Sequence, residues 1–169
     1  MRVHGVLVEI AGSGVLLVGP SGVGKSECAL ELVARGERLV ADDAVELERE
    51  GDQLVGRAVP AIAGHNEIRG LGILSVAELY GADALAEEAC LGLVCRVEPV
   101  VEEPDRTGLD RGHEEWLGVA VPRVVLPSQP GASLATIVDA AARDALWRRV
   151  GPSAAERFAA RTLRPVRQP

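Results

Sequence analysis

The chain has 169 residues, 47% of them apolar and 25% charged, which is enough apolar surface for one buried core and too little charge for a disordered chain. No apolar run reaches the roughly 20 residues that span a bilayer, and an alternating N-terminus carrying Glu9 reads as a strand, not a signal peptide. The net charge of −7 argues against nucleic acid as the main partner, and three cysteines, Cys28, Cys90 and Cys95, make no disulfide framework and point to a reducing, cytoplasmic compartment.

Residues 1–10 read as a strand with His4, Val6, Val8 and Ile10 on one face. Residues 11–14 are a turn signal and 15–18 a second apolar strand, so the two form a hairpin. A glycine-rich loop at 19–24 leads into a helical pattern over 25–35, with Gly36 as its stop. Residues 39–41 form a short buried strand ending in Asp42-Asp43, and 44–47 continue extended to a turn at Gly51-Asp52. Residues 60–72 read as a glycine-dotted loop, followed by a short helix over 75–80. Strands are expected at 91–97, 117–121 and 123–126, with a polar, turn-rich stretch over 98–115. The spacing predicts a long helix over 133–150, its apolar face at positions 134, 137, 138, 141 and 145, and a second helix over 153–163. The whole, 1–169, reads as a single α/β domain with a core over 3–151 and a tail over 152–169, and with more strand than a βαβ relay supplies.

Gly19-Pro20-Ser21-Gly22-Val23-Gly24-Lys25-Ser26 matches GxxxxGK[ST], the P-loop pattern. Glycines let successive backbone N–H groups point inward as an anion nest, and the following helix N-terminus adds positive potential. Lys25 would bridge the β and γ phosphates, and Ser26 would offer its hydroxyl to Mg²⁺. Lys25 is the only lysine among eighteen basic residues, and the pattern sits between an apolar strand and an amphipathic helix. A plain glycine turn would show neither coincidence.

Asp42-Asp43 closes the strand after the P-loop helix, where an acid serves Mg²⁺ or accepts the proton of a phosphorylated hydroxyl. Neighbouring strand residues point to opposite faces, so the two aspartates divide the work; a turn-capping pair is the structural alternative. In Glu67-Ile68-Arg69-Gly70-Leu71-Gly72-Ile73 a carboxylate and a guanidinium lie two apart, suited to a metal ligand and a phosphate clamp, or equally to a surface ion pair.

Several blocks together resemble one family. They are His4-Gly5-Val6-Leu7-Val8-Glu9-Ile10, the loop with Glu27 after it, Ala29-Leu30-Glu31-Leu32, Arg35-Gly36, Leu39-Val40-Ala41-Asp42-Asp43-Ala44-Val45 and Glu67-Ile68-Arg69-Gly70-Leu71-Gly72-Ile73. Their order and spacing are similar to the catalytic domain of HPr kinase/phosphorylase, the bacterial enzyme that phosphorylates a serine of the phosphocarrier protein HPr. The likeness runs from position 4 to about 151 and implies a P-loop kinase fold related to the nucleotide domain of phosphoenolpyruvate carboxykinase. It also implies ATP and Mg²⁺, an HPr-like protein substrate, and a homo-oligomer, typically a hexamer. By the same resemblance His4 is the active-site histidine, Lys25 and Ser26 the loop's lysine and Mg²⁺-binding serine, and Asp43 the proton acceptor beside Asp42. Glu67 is implied as a metal-binding glutamate, Arg69 as part of the signature loop, and Arg111 as a catalytic arginine for which Arg106 competes.

Two departures stand out. Family members carry an N-terminal domain, and here Met1 stands three residues before His4, so the expectation is the catalytic domain alone. Where the family has a Gly-Arg-Asn-like segment linked to phosphorolysis, this chain reads Pro130-Gly131-Ala132-Ser133, so weak or absent phosphorylase activity is expected. Asp105-Arg106-Thr107-Gly108 fits the short DxxG of GTPases, yet no second lysine exists for a guanine-reading motif. Cys90 and Cys95, without histidine neighbours, make no zinc site. Arg157, Arg161, Arg164 and Arg167 recur at near-helical spacing, as a solvated face or a docking surface. A small-molecule kinase and a non-catalytic ATP sensor are the competing functions.

Overall fold

A computed structural model describes residues 1–99, 111–128 and 133–162. Asp105, Arg106, Thr107, Gly108, Pro130, Gly131, Ala132, Arg164 and Arg167 lie outside the described residues.

The expected first strand is two: β1 (Arg2–His4) and β2 (Val6–Ile10), which take different neighbours in the sheet. Gly5 is the break. A Cβ there would sit 2.6 Å from the Leu17 carbonyl oxygen, and its N–H donates to the Asp43 carbonyl at 3.1 Å. β2 returns through a two-residue turn, Ala11 and Gly12, both with positive φ, into β3 (Ser13–Val18). Such turns match the right-handed twist of the strands they join.

After the glycine loop, α1 (Lys25–Ala34) ends at Arg35 and Gly36, as expected. β4 (Arg38–Ala41) and β5 (Ala44–Glu50) are separated by the aspartate pair, and β6 (Gln53–Ala58) folds back on β5 across Gly51-Asp52. The expected loop over 60–72 is in part a hairpin. A 3₁₀ turn (Pro60–Ile62) precedes β7 (His65–Ile68), which pairs antiparallel with β8 (Gly72–Ser75) as a separate two-stranded sheet. Gly70 and Gly72 are its positive-φ positions. Ser75 caps α2 (Val76–Tyr80), accepting from the Glu78 N–H at 3.4 Å.

β9 (Glu88–Glu98) is the longest strand. The two strands expected around 117–126 are redistributed: β10 (His113–Trp116) comes from the stretch read as polar and turn-rich, Leu117 and Gly118 form the turn, and β11 (Val119–Pro127) is continuous. α3 (Leu134–Arg148), capped by Ser133, and α4 (Ala154–Thr162) are the last described elements. α3 buries Ala135, Val138, Ala141 and Ala142, whereas Ile137, expected on the core face, is 40% exposed. The small alanines let the helix approach the sheet along a strip that a count of large apolar residues does not find.

The main sheet runs β1-β5-β6-β9-β3-β2-β4, with β11 parallel to β9 and β10 paired to β11. β3 is buried throughout. Val15 and Leu17 pack with α1 and α3, while Leu16 and Val18 pack with Leu7, Val45, Leu47 and Leu54 from strands of the same sheet. The sheet therefore covers one of its own faces. Gly56 of β6 lies so close under β2 that a Cβ would meet Leu7 Cδ2 at 2.4 Å. Among the described residues no helix is long and apolar enough to cross a membrane.

Gly5→Ala should cost about 1–3 kcal/mol, because the added carbon meets backbone and not a movable side chain. The midpoint of urea unfolding reads this; an unchanged midpoint would show that the β1–β2 break does not depend on glycine.

Candidate active site

The P-loop is built by constraints on both flanks. At Gly19, φ is 150° and a Cβ would lie 2.2 Å from the Val97 carbonyl oxygen, so only glycine lets the loop leave β3 against the end of β9. Gly22 and Gly24 both take positive φ, at 83° and 92°, and Gly24 is the N-cap of α1 without a side-chain cap. The first N–H groups of α1 are thus left to an anion. On the far flank, Ser128 Oγ donates to the Val23 carbonyl at 3.0 Å, and the Ser128 N–H donates to the Glu98 carbonyl at 2.7 Å, fastening the loop to β9 and β11.

Lys25 is 7% exposed and its ammonium donates to the carbonyls of Gly19 at 2.9 Å and Pro20 at 2.8 Å. Burial lowers its pKa, and the carboxylates of Asp42, Asp43 and Glu27 work in the opposite direction. The positive end of the cleft is balanced by acids within it.

Asp42 and Asp43 have different surroundings. Asp42 is 5% exposed. Its Oδ1 accepts from Ser26 Oγ at 2.9 Å and from the Asp43 N–H at 3.0 Å, and its Oδ2 accepts from the Glu67 N–H at 2.9 Å. Burial raises its pKa, while these three hydrogen bonds favour the charged form and limit the rise. Asp43 takes φ 67° and turns its carboxylate outward, 3.1 Å from His4 Nδ1. The same nitrogen lies 2.9 Å from the Asp43 carbonyl oxygen. Both partners are acceptors when Asp43 is ionised, so the geometry assigns the His4 proton to Nδ1. The two aspartates stand between β4 and β5 and not within a strand, so strand alternation does not separate them; both line one cleft, and their differing burial sets them apart.

One cleft is lined by His4, Ser21, Gly22, Gly24, Lys25, Ser26, Asp42, Asp43, Glu67 and Arg69. The Arg69 guanidinium reaches over the loop, its Nη2 3.3 Å from where a Cβ on Gly22 would lie. Gly19 and Pro20 meet Lys25 from below. Val23 is 8% exposed and packs into the core. Arg111 does not line this cleft: it pairs with Asp144 of α3 at 2.8 Å, so the structure does not bring it to the loop as the resemblance implied.

Two residues were missed from sequence. Asn66 is 1% exposed and its Nδ2 donates to the Ser26 carbonyl at 3.4 Å, joining β7 to the start of α1. Ser128 is the other. An asparagine in a polar hairpin and a serine at a strand end carry no periodic signal. Cys28, on the buried face of α1, has its thiol pushed up to about 12 by burial and is no nucleophile.

Comparison with known proteins decides the family. The family model "HPr Serine kinase C-terminal domain" matches residues 1–162. The chain belongs to that family. HPr kinase/phosphorylase 1 of Oceanobacillus iheyensis is 47% identical over 162 residues, 94% of this chain and 52% of that protein. HPr kinase/phosphorylase of Geobacter sulfurreducens is 44% identical over 161 residues, 93% of this chain and 50% of that protein. The chain thus spans about half the length of these relatives. The solved Hpr(Ser) kinase/phosphatase of Coxiella burnetii superposes with a TM-score of 0.82 at 30% identity, covering 89% of this chain and 99% of that one. The α/β P-loop kinase fold is common to both.

Asp42 binds its proton more tightly in the folded chain than in the unfolded one. The folded state therefore holds more protons between the ordinary aspartate value and the raised one, and stability falls as pH rises through that window. Ser26→Ala removes a bond to the charged form, so the window should extend to higher pH and more stability should be lost across it. Urea midpoints measured from pH 4 to 8 read the difference; identical pH profiles for the variant and the parent would mean that the hydroxyl does not govern this carboxylate.

Proposed function

We propose that this chain is an ATP-dependent protein serine kinase domain that transfers the γ-phosphoryl group to a serine of an HPr-like phosphocarrier. The observation that carries the reading is the pairing of a phosphate loop with two aspartates in unlike settings, one buried against Ser26 and one exposed beside His4. The relatives' names, HPr kinase/phosphorylase, support the same substrate class.

The loop amides, the N-terminus of α1 and Lys25 hold the nucleotide phosphates, with Arg69 above them. The donor set suits a hard cation, because Ser26 and Glu67 offer oxygen ligands. Ser26 and Glu67 would hold Mg²⁺, which when bound with ATP neutralises charge on the phosphates. Asp42 orients Ser26 and, through the Glu67 N–H, the start of the Glu67–Arg69 segment.

Asp43 accepts the proton of the attacking serine. Its carboxylate is open to an incoming chain, whereas both oxygens of Asp42 already accept hydrogen bonds. His4 Nδ1, 3.1 Å from this carboxylate, holds it in position. Transfer is otherwise a matter of position and charge neutralisation.

Phosphorolysis is weak or absent in this reading. Ser133, where the family has an amide, caps α3: its Oγ accepts from the Thr136 N–H at 3.2 Å and donates to Glu31 at 2.9 Å. A cap so engaged supplies no anion clamp. The cytoplasmic location and the homo-oligomer implied by family resemblance belong to the same reading.

Incubation of the chain with Mg²⁺, labelled ATP and an HPr-like carrier should place label on a carrier serine, and Lys25→Ala should abolish it. Asp43→Asn should keep nucleotide binding and slow transfer by about 10²–10⁴-fold, the usual contribution of a positioned base; transfer at the parent rate would move the base elsewhere. Orthophosphate should release little or no phosphate from the phosphorylated carrier, and rapid phosphate-dependent release would refute that part.

A further inference from the structure

A cavity of about 560 Å³ lies apart from the catalytic cleft and shares no lining residue with it. Its volume is within the range of small-molecule sites. Val40 of β4 and Ala58 of β6 line it from the main sheet. Ala63 and Gly64 line it from the connection after β6, and Ala82 and Ala86 from the connection after α2. Small side chains leave the space open, while backbone bonds hold its walls. The Ala86 N–H donates to the Leu39 carbonyl at 2.9 Å, and the Val76 N–H donates to the Gly64 carbonyl at 3.0 Å. Gly64 takes φ 72°, and a Cβ there would meet Leu85 Cδ1 at 3.1 Å, so the two connections already touch at that point. The hollow is therefore a built feature of the fold.

Two charged side chains line the cavity, Arg57 and Glu87, and they are not equivalent. Every nitrogen of the Arg57 guanidinium is engaged: Nε donates to Glu88 at 2.8 Å, Nη1 to Glu48 at 2.9 Å and Nη2 to Glu50 at 2.9 Å. An anion could reach this cation only by displacing a carboxylate. Glu87 is exposed, and among the described residues it makes no ion pair or side-chain hydrogen bond. With the carboxylates bonded to Arg57, the charge at this cavity is four glutamates against one arginine. That surplus attracts a cation and repels a phosphate or carboxylate. The alanine-lined walls suit an apolar body attached to it.

We propose that this cavity is a binding site for a small organic ammonium ion, its apolar body held between the sheet and the two connections and its charged head on Glu87. Chemical-shift titration of the full chain with phenethylammonium and, separately, with phenylacetate compares two ligands of similar size and opposite charge. The amides of Gly64, Ala82 and Glu87 should shift and saturate with phenethylammonium, and phenylacetate should bind about tenfold or more weakly. Glu87→Gln should weaken phenethylammonium by about fivefold and narrow the gap between the two ligands. Ala63→Phe and Ala82→Phe, at exposed positions on the two connections, should fill the space and abolish saturation while amide shifts far from the cavity stay those of the parent. Lys25→Ala should leave phenethylammonium binding unchanged, because the two sites share no residue. No saturable shift at the three amides, equal affinity for the two ligands, or unchanged binding in Glu87→Gln or in both phenylalanine variants would overturn the proposal. Loss of phenethylammonium binding in Lys25→Ala would place the ligand in the catalytic cleft and overturn it as well.

Discussion

The site depends on one buried carboxylate. Asp42 accepts hydrogen bonds from Ser26 on α1, from the Asp43 N–H between β4 and β5, and from the Glu67 N–H on β7. Ser26 and Glu67 lie far from Asp42 along the chain, on α1 and β7, and this carboxylate ties both to the end of β4. Burying a charged group is costly unless its lone pairs are satisfied, and here each bond that satisfies it also places a residue of the cleft. The hairpin of β7 and β8 lies outside the main sheet and relies on this anchor and on Asn66 for its position.

The same bond explains why two adjacent acids do not duplicate each other. With both oxygens engaged, Asp42 is fixed in place, and its hold on the Asp43 N–H accompanies a left-handed backbone that turns the next carboxylate outward to His4. Left-handed φ is uncommon outside glycine, though aspartate is among the residues that tolerate it best. A conformational outlier therefore sits in the cleft at its exposed carboxylate, a position of the kind where strained backbone is commonly found.

Much of this was legible in the sequence, because the P-loop, its lysine and the aspartate pair are encoded locally. Loop glycines are demanded by backbone geometry over eight residues, and the strands and helix that flank them obey short periods. What sequence reading missed depended on distant contacts. The break at Gly5 exists because Leu17, twelve residues on, occupies the space of a side chain. The β7–β8 hairpin was hidden by glycines that serve its turn while resembling a loop. The core face of α3 was misplaced because alanines at 135, 141 and 142 do the packing and Ile137 does not. Arg111 illustrates the limit of likeness: its position is matched to a family pattern, but its charge is engaged by Asp144, a partner 33 residues further along the chain.

The P-loop also acts as an electrostatic divide. Lysine and arginine collect on the side of β2 and β4, where Asp42, Asp43 and Glu67 moderate them, and the opposite flank beside β11 carries glutamates and apolar side chains. Buried as it is, Lys25 would hold its charge less readily without those acids, since burial alone lowers its pKa. Asp42 and Asp43 thus favour the charged form of the lysine that burial opposes.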